Sequence, residues 1–381
     1  MESRRVIHGS GAIGRIGGRI ALLTLAAVGC ILLINVTHPQ QVIEARQNMQ
    51  QQDQPVTASS SEGLYRGQPI SQLWARNLPE QAWLPDPQCR HFVTKFTRDN
   101  CLEVLLLASF PRSGNTWTRF LLEAASGLYT SSGGPNYIKY VKGESLRQSD
   151  ENIRNYVKTQ KGAELTQLGF IGETSLWTQG TTIAMKTHSF PEPWNATEAK
   201  INEYNWAPFA ANTTRRAILV VRDPFKALIS LKIYSKTQSV LNNDNDWQKL
   251  FQGDEWIDFA VYHANHWYKL NRQWVERTNM THVVIYEHLT KNTMPELQGM
   301  LQFLDVQPDP DRMECVRRHL EGRAHNKKHD IVPNNAVYPL HLRGLVWSYI
   351  HQLNWVLKTR GYKPLPLDLY SFADEFRDIG L

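Results

Sequence analysis

A short apolar strand that runs into a Pro-Arg-Ser-Gly turn and then a helix restricts this chain more than any other segment. Residues 101–120 read CLEVLLLASFPRSGNTWTRF. Leu105, Leu106 and Leu107 suit a strand covered on both faces of a parallel sheet, Pro111 stops its ladder, and Asn115-Thr116 opens a helix running through Glu123. A turn of this kind brings together helix-start amides, the positive end of the helix dipole and the Arg112 fork. Ser113 adds a hydroxyl, and Gly114 lets backbone approach a ligand closely. The expectation is a phosphate- or sulfate-sized anion held by residues 112–116. The nucleotide triphosphatase pattern GxxxxGK[ST] is absent: no Gly precedes Gly114 at the required spacing, and Asn115 holds the Lys position. A magnesium-dependent nucleotide kinase is therefore disfavoured.

Three further apolar runs end in polar turns. Residues 181–186, TTIAMK, lead into Thr187-His188-Ser189-Phe190-Pro191, and residues 216–221, RAILVV, lead into Arg222-Asp223-Pro224 and a helix over 225–234. Residues 282–286 precede a helix over 294–304. Ligands of open parallel sheets collect at the carboxyl ends of the strands, so these turns are expected to converge. The fold class is α/β, a central parallel sheet flanked by helices with an anion-binding strand-loop-helix. Trp256, Phe259, His263, Trp267, Leu270 and Trp274 recur at helical intervals, which reads as a helix over 256–278 packed on the sheet. A last helix over 342–359 stops at Gly361. No HExxH, zinc-spaced cysteine pair or EF-hand loop occurs, so no metal is expected.

The chain's 381 residues suffice for one large domain with appendages. Residues 20–36 carry no charge and follow Arg4, Arg5, Arg15 and Arg19. They read as a transmembrane signal anchor behind a cytoplasmic tail over 1–19, with everything beyond in the lumen. Residues 37–88, rich in Gln, Ser and Pro, read as a stem, whose more apolar part over 64–85 packs on the domain, and 89–381 form the lumenal domain. Of four cysteines, Cys30 lies in the anchor; Cys89 and Cys101 are the expected bridge, leaving Cys315 unpaired. Sequons at Asn195, Asn212 and Asn279 fit a secretory route. The net charge of +6 is dispersed, which argues against nucleic acid and for a basic cleft around a small polyanion.

Together SFPRSGNTWTR, MKTHSFP and VVRDPFKALIS, in this order, resemble the sulfotransferase superfamily, whose members use the sulfate donor PAPS. The resemblance spans residues 101–304 and is strongest to the WSC-domain-containing Golgi sulfotransferases; with four cysteines the chain has no room for the cysteine-rich WSC modules. It implies that Arg112, Ser113, Gly114, Asn115 and Thr116 hold the donor's 5′-phosphosulfate and that Trp117 stacks on adenine. Arg222 and Ser230 would bind the 3′-phosphate, and Tyr286, followed by Glu287, would lie near the adenine. His188 of the Lys186-Thr187-His188 segment would be the catalytic base, with Lys186 and Arg112 offsetting charge on the leaving oxygen. Glu123 is the fallback base, and Arg317, Arg323, Lys327 and Lys328 are candidates for a late phosphate contact. Some relatives carry Lys where this chain has Arg112, whose planar fork differs in geometry. Without the resemblance, Arg222-Asp223 would read as a local ion pair and Trp117 as a packing residue. The implied function is PAPS-dependent transfer of a sulfuryl group to a hydroxyl of a glycan or glycoprotein, sialic acid included, in the Golgi. The alternative is an inactive PAPS- or glycan-binding membrane protein.

Overall fold

Strand residues here alternate between two apolar layers, and that alternation defines the architecture. The computed structural model describes residues 70–76, 78–99, 101–103, 105–132, 160–174, 180–191, 216–237, 247–278, 280–323 and 334–379. A small antiparallel pair, β1 (Gln81–Ala82) and β2 (Val93–Thr94), precedes the main sheet. That sheet is built from β3 (Leu106–Ser109), β4 (Ser131–Ser132), β5 (Met185–Thr187), β6 (Arg216–Val221) and β7 (Met280–Ile285). Its order is β4-β5-β3-β6-β7, and every pairing is parallel.

Leu106, Ala108, Ala217, Leu219, Val221 and Ile285 face one layer. It contains α3 (Pro224–Thr237), α4 (Gly253–Arg277) and α8 (Leu340–Thr359), with Trp256, Trp267, Trp274 and Trp347 buried among them. Leu105, Leu107, Ile218, Val220 and Val284 face the other, formed by α1 (Asn115–Ser126), α6 (Thr293–Phe303) and α7 (Pro310–Arg318). Two shorter helices are α2 (Gln160–Gln167) and α5 (Tyr286–Lys291). From the central β3 the chain builds one wing through β4 and β5 and then returns to build the other through β6 and β7. The topological switch, where ligands of such sheets bind, therefore lies at the C-terminal end of β3.

The expected strands and helices are present with shifted ends. The strand expected at 181–186 begins only at Met185, because Ile183 instead donates its amide to the Tyr129 carbonyl ahead of the ladder. The strand expected at 282–286 starts at Met280, and Tyr286 already opens α5. α1 ends at Gly127, whose φ of 74° suits glycine, and Gly127 donates its amide to the Glu123 carbonyl. Arg312 of α7 closes this helix end by donating to the Ala124 carbonyl at 2.9 Å and to the Val93 carbonyl at 2.7 Å.

Residues 70–76 and 78–88 are packed on the domain, with Leu73, Trp83 and Leu84 buried. The cysteine pairing differs from the expected one: Cys89 is bonded to Cys315, and Cys101 is free. Spacing along the chain favoured the short loop, whereas α7 folds back to bring Cys315 beside Cys89, both buried in the layer beneath α1. Asp86, Cys89 and His319 are within ligand distance of one another, but the Cys89 sulfur is already bonded to Cys315. Among the described residues no helix is long and apolar enough to cross a membrane. The anchor expected at 20–36, the sequons at Asn195, Asn212 and Asn279, and Lys327 and Lys328 all lie outside the described residues.

Replacing Cys315 by Ser is expected to lower unfolding stability by about 2–5 kcal/mol, since the bond closes a long loop. Replacing Cys101 by Ser should change it by less than about 0.5 kcal/mol. Urea unfolding of the two variants, with disulfide mapping by mass spectrometry, checks both.

Candidate active site

The turn after β3 is held in a shape that few sequences permit. Arg112 has φ 66° and Gly114 φ 92°, both left-handed, and a side chain at Gly114 would run into the Tyr286 ring. No side chain caps α1 at Gly114, and the first turn of any helix leaves amides without intrahelical acceptors. Thr116 sits in that turn, half-buried.

The junction between β6 and α3 closes on this turn. Arg222, at the end of β6, donates through Nη1 to the Arg112 carbonyl at 2.8 Å. Arg112 donates through Nε to Ser230 Oγ at 2.9 Å, two turns into α3. Each guanidinium lies over an aromatic ring, Arg112 on Tyr234 at 5.2 Å and Arg222 on Tyr286 at 4.6 Å. Burial, and then the neighbouring Arg222 charge, lower the Arg112 guanidinium to about 10, so it remains a cation at neutral pH. Ser113 Oγ and Arg222 Nε are buried with no hydrogen-bond partner among the described residues. Burying such groups unmet is costly, and an anion at the loop would accept from both. The donor set thus fits a phosphate or sulfate ester.

His188 joins this cleft through β3. Ser189 donates its amide to Thr187 Oγ1 at 3.1 Å, shaping the turn that carries the imidazole. His188 Nδ1 is 2.9 Å from the Ser109 carbonyl and 3.4 Å from Ser109 Oγ. A carbonyl can only accept, so Nδ1 carries the proton and the neutral ring presents Nε2 as its basic nitrogen. Asn115 Nδ2 donates to the same Ser109 Oγ at 3.0 Å and to the Leu107 carbonyl at 3.3 Å, tying the start of α1 to the imidazole. Lys186, buried on β5, is in register with Leu107 of β3.

Two indoles of α4 hold the same strand ends. Trp267 donates to the Arg222 carbonyl at 3.1 Å, and Trp274 to the Ser189 carbonyl at 2.9 Å. Beside them Phe110, Phe190, His263 and His266 form an aromatic wall: His266 stacks on Phe190 at 5.0 Å and meets Phe110 edge-on at 5.7 Å. Burial lowers both imidazoles, His263 to about 4, so this wall is uncharged at neutral pH.

The structure thus brings Arg112, Ser113, Gly114, Asn115, Arg222, Ser230, Tyr286 and His188 into one connected set. Trp117 is packed: it is buried, donates its indole N–H to the Leu320 carbonyl at 2.8 Å and meets Tyr286 edge-on. Glu123 stands apart. Its Oε1 accepts from the Thr130 amide at 3.0 Å and from Thr130 Oγ1, and its Oε2 accepts from Trp83 at 3.0 Å. Arg119 of the same network pairs with Glu173. Burial pushes the Glu123 carboxyl up to about 7 against the pull of Arg119, but both its oxygens are engaged in the core, which suits a structural acid better than a base. Arg317 is exposed and paired with Glu314, and Arg323 is exposed. Ser109, Trp267 and Trp274 were not singled out for the site from sequence; only their place, at or packed against a strand's end, signals a role.

The family model described as Sulfotransferase domain matches residues 102–331. The WSCD family member GA21586 of Drosophila pseudoobscura pseudoobscura is 30% identical over 223 residues, 58% of this chain and 57% of that protein. The WSCD family member CG9164 of Drosophila melanogaster is 29% identical over 58% of this chain and 56% of that protein. The chain thus spans less than two thirds of the length of these curated relatives. Among solved structures, the mouse sulfotransferase SULT7A1 complexed with PAP aligns with a TM-score of 0.40 at 12% identity, over 68% of this chain and 86% of that one.

Gly114→Ala is expected to lower unfolding stability by about 1–3 kcal/mol, because the left-handed backbone and the Tyr286 ring both exclude a Cβ. Gly361→Ala, also left-handed but with nothing near its Cβ, should cost less than Gly114→Ala. Urea titration of both separates strain from crowding.

Proposed function

The chain belongs to the sulfotransferase family, whose domain spans residues 102–331, and from that premise we propose that it transfers a sulfuryl group from PAPS to a hydroxyl of a glycan. The observation that carries this reading is the shared anchoring of His188 and of the anion loop through Ser109 and Asn115. It supports an acid-base group and an ester-binding loop acting on one substrate pair.

PAPS supplies the activated sulfuryl group when bound. Ser113, the amides that open α1, Arg222 and Ser230 hold its phosphates, and Arg112 and Lys186 offset the charge that builds on the leaving oxygen. His188 Nε2 takes the acceptor's hydroxyl proton as that oxygen bonds to sulfur and the sulfur-to-phosphate oxygen bond breaks, leaving PAP. The wall of Phe110, Phe190, His263 and His266 offers ring faces and neutral polar edges, which suit a sugar. Sialic acid belongs on the acceptor panel. The uncharged segment at 20–36 behind four arginines, with the sequons, supports a Golgi membrane protein of type II orientation.

His188→Ala should lower sulfate transfer from labelled PAPS to a mixed glycan panel by about 10²–10⁴-fold. PAP affinity by calorimetry should stay within about threefold, because His188 faces the acceptor proton rather than the nucleotide. Arg222→Ala should weaken PAP by about 10–100-fold, the cost of one charge-assisted contact. Glu123→Gln should retain transfer if the variant folds. PAP binding without transfer to any acceptor would favour a binding protein, and no PAP binding by the folded protein would overturn the assignment.

A further inference from the structure

Behind the Arg222 and Tyr286 side chains lies a buried acid pair that the transfer chemistry does not use. Asp223 is 0% exposed and Glu287 9% exposed. Each directly follows a residue of the cleft, Asp223 after Arg222 at the end of β6 and Glu287 after Tyr286 at the start of α5. Glu287 Oε1 accepts the Asp223 amide at 3.0 Å, so the two junctions are joined through this carboxyl. Asp223 is fully engaged: Oδ1 accepts the Phe225 amide at 2.8 Å, and Oδ2 accepts the Ser371 amide at 3.0 Å and Ser371 Oγ at 2.6 Å. Glu287 is not, for its Oε2 is buried with no partner among the described residues, as is the nearby Tyr370 hydroxyl.

We propose that Glu287 is a positioning residue whose protonation is coupled to nucleotide binding: the anion at Arg222 and Tyr286 is held best when Glu287 is neutral. This rests on reading the cleft as a site for a phosphorylated nucleotide. In a dry interior the neighbouring Asp223 carboxylate disfavours a second charge on Glu287. The charged or titratable groups around Glu287 are Asp223 and Arg222 from the β6 junction and Tyr370 from the C-terminal segment. Burial first, and then the Asp223 charge, push the Glu287 carboxyl up to about 7, against the pull of the Asp223 amide and Arg222. A phosphate dianion arriving at Arg222 adds a third negative charge beside the pair and raises it further. Binding therefore takes up a proton, and affinity falls as pH rises above the ligand-free value.

The test is calorimetric PAP affinity of the intact protein at pH 7.0 to 8.5, a window in which the phosphates of PAP stay ionised, with heats measured in two buffers of different ionisation enthalpy. Wild type should lose about tenfold in affinity across this range and take up a fraction of a proton per PAP bound. Glu287→Gln, which keeps the acceptor for the Asp223 amide and cannot ionise, should bind as wild type does at pH 7.0 and stay within about twofold at 8.5. Glu287→Ala, which breaks the junction, should be weaker at every pH, with its fold checked by circular dichroism. Flat affinity and no proton uptake in wild type, or the same fall in Glu287→Gln, overturns the coupling while leaving PAP binding intact. Absence of PAP binding at all pH values overturns instead the nucleotide reading on which it rests.

Discussion

Two hydrogen bonds between the turn after β3 and the β6-α3 junction set the geometry on which the cleft depends. Arg222 reaches back to the Arg112 carbonyl, which a left-handed residue turns towards it, and Arg112 reaches forward to Ser230. Parallel pairing of β3 with β6 brings the strand ends into proximity but does not fix the loops. The reciprocal bonds do, at the cost of placing two guanidiniums side by side in a partly dry site. Tyr234 and Tyr286 beneath the guanidiniums offset part of that repulsion. No carboxylate oxygen lies within ion-pair distance of either guanidinium among the described residues, so the pair carries net positive charge that an anion would neutralise.

The remainder of the frame makes that arrangement rigid. β3 is the hinge of the sheet's topology and the hub of its polar contacts. Its Ser109 carbonyl orients His188, and its Ser109 hydroxyl receives Asn115. From the opposite layer the α4 indoles hold the carbonyls of Arg222 and Ser189, so a helix buried for packing also fixes the turns that follow β5 and β6. A tryptophan stripe gives both at once, because the indole buries a large apolar surface and keeps one N–H that requires an acceptor.

Much of this was legible in the sequence. The apolar runs and their polar exits located β3, β5, β6 and β7, since a strand covered on both faces must be apolar throughout and its ligand-facing turn cannot be. Segments whose stability comes from elsewhere were hidden. β4, two serines long, exists because β5 offers it a ladder. α7 has a polar sequence of which Arg312, Met313, Cys315 and Val316 are buried, and the pairing of Cys315 with Cys89 follows from that docking rather than from spacing. Within the site, residue types singled out the turn after β3. The tautomer of His188 and the contact between Arg112 and Ser230 depend on approaches across 79 and 118 positions of chain, which no local pattern records.

Two buried carboxyls show why an altered acidity does not by itself mark a functional group. Glu123 and Glu287 are both pushed up to about 7, in each case chiefly by burial. Glu123 lies eight residues into α1, about 12 Å along its axis from the anion loop, and its oxygens are consumed by Trp83 and Thr130. Its charge state is a matter for the core. Glu287 directly follows Tyr286, accepts the amide of the residue after Arg222, and keeps one oxygen without a partner among the described residues. A charge placed there acts on Arg222 and Tyr286, the two side chains proposed to meet the nucleotide. A saturated acid far from the loop serves the fold, whereas an unsaturated one a single residue from Arg222 and Tyr286 is placed to feel any anion that binds there.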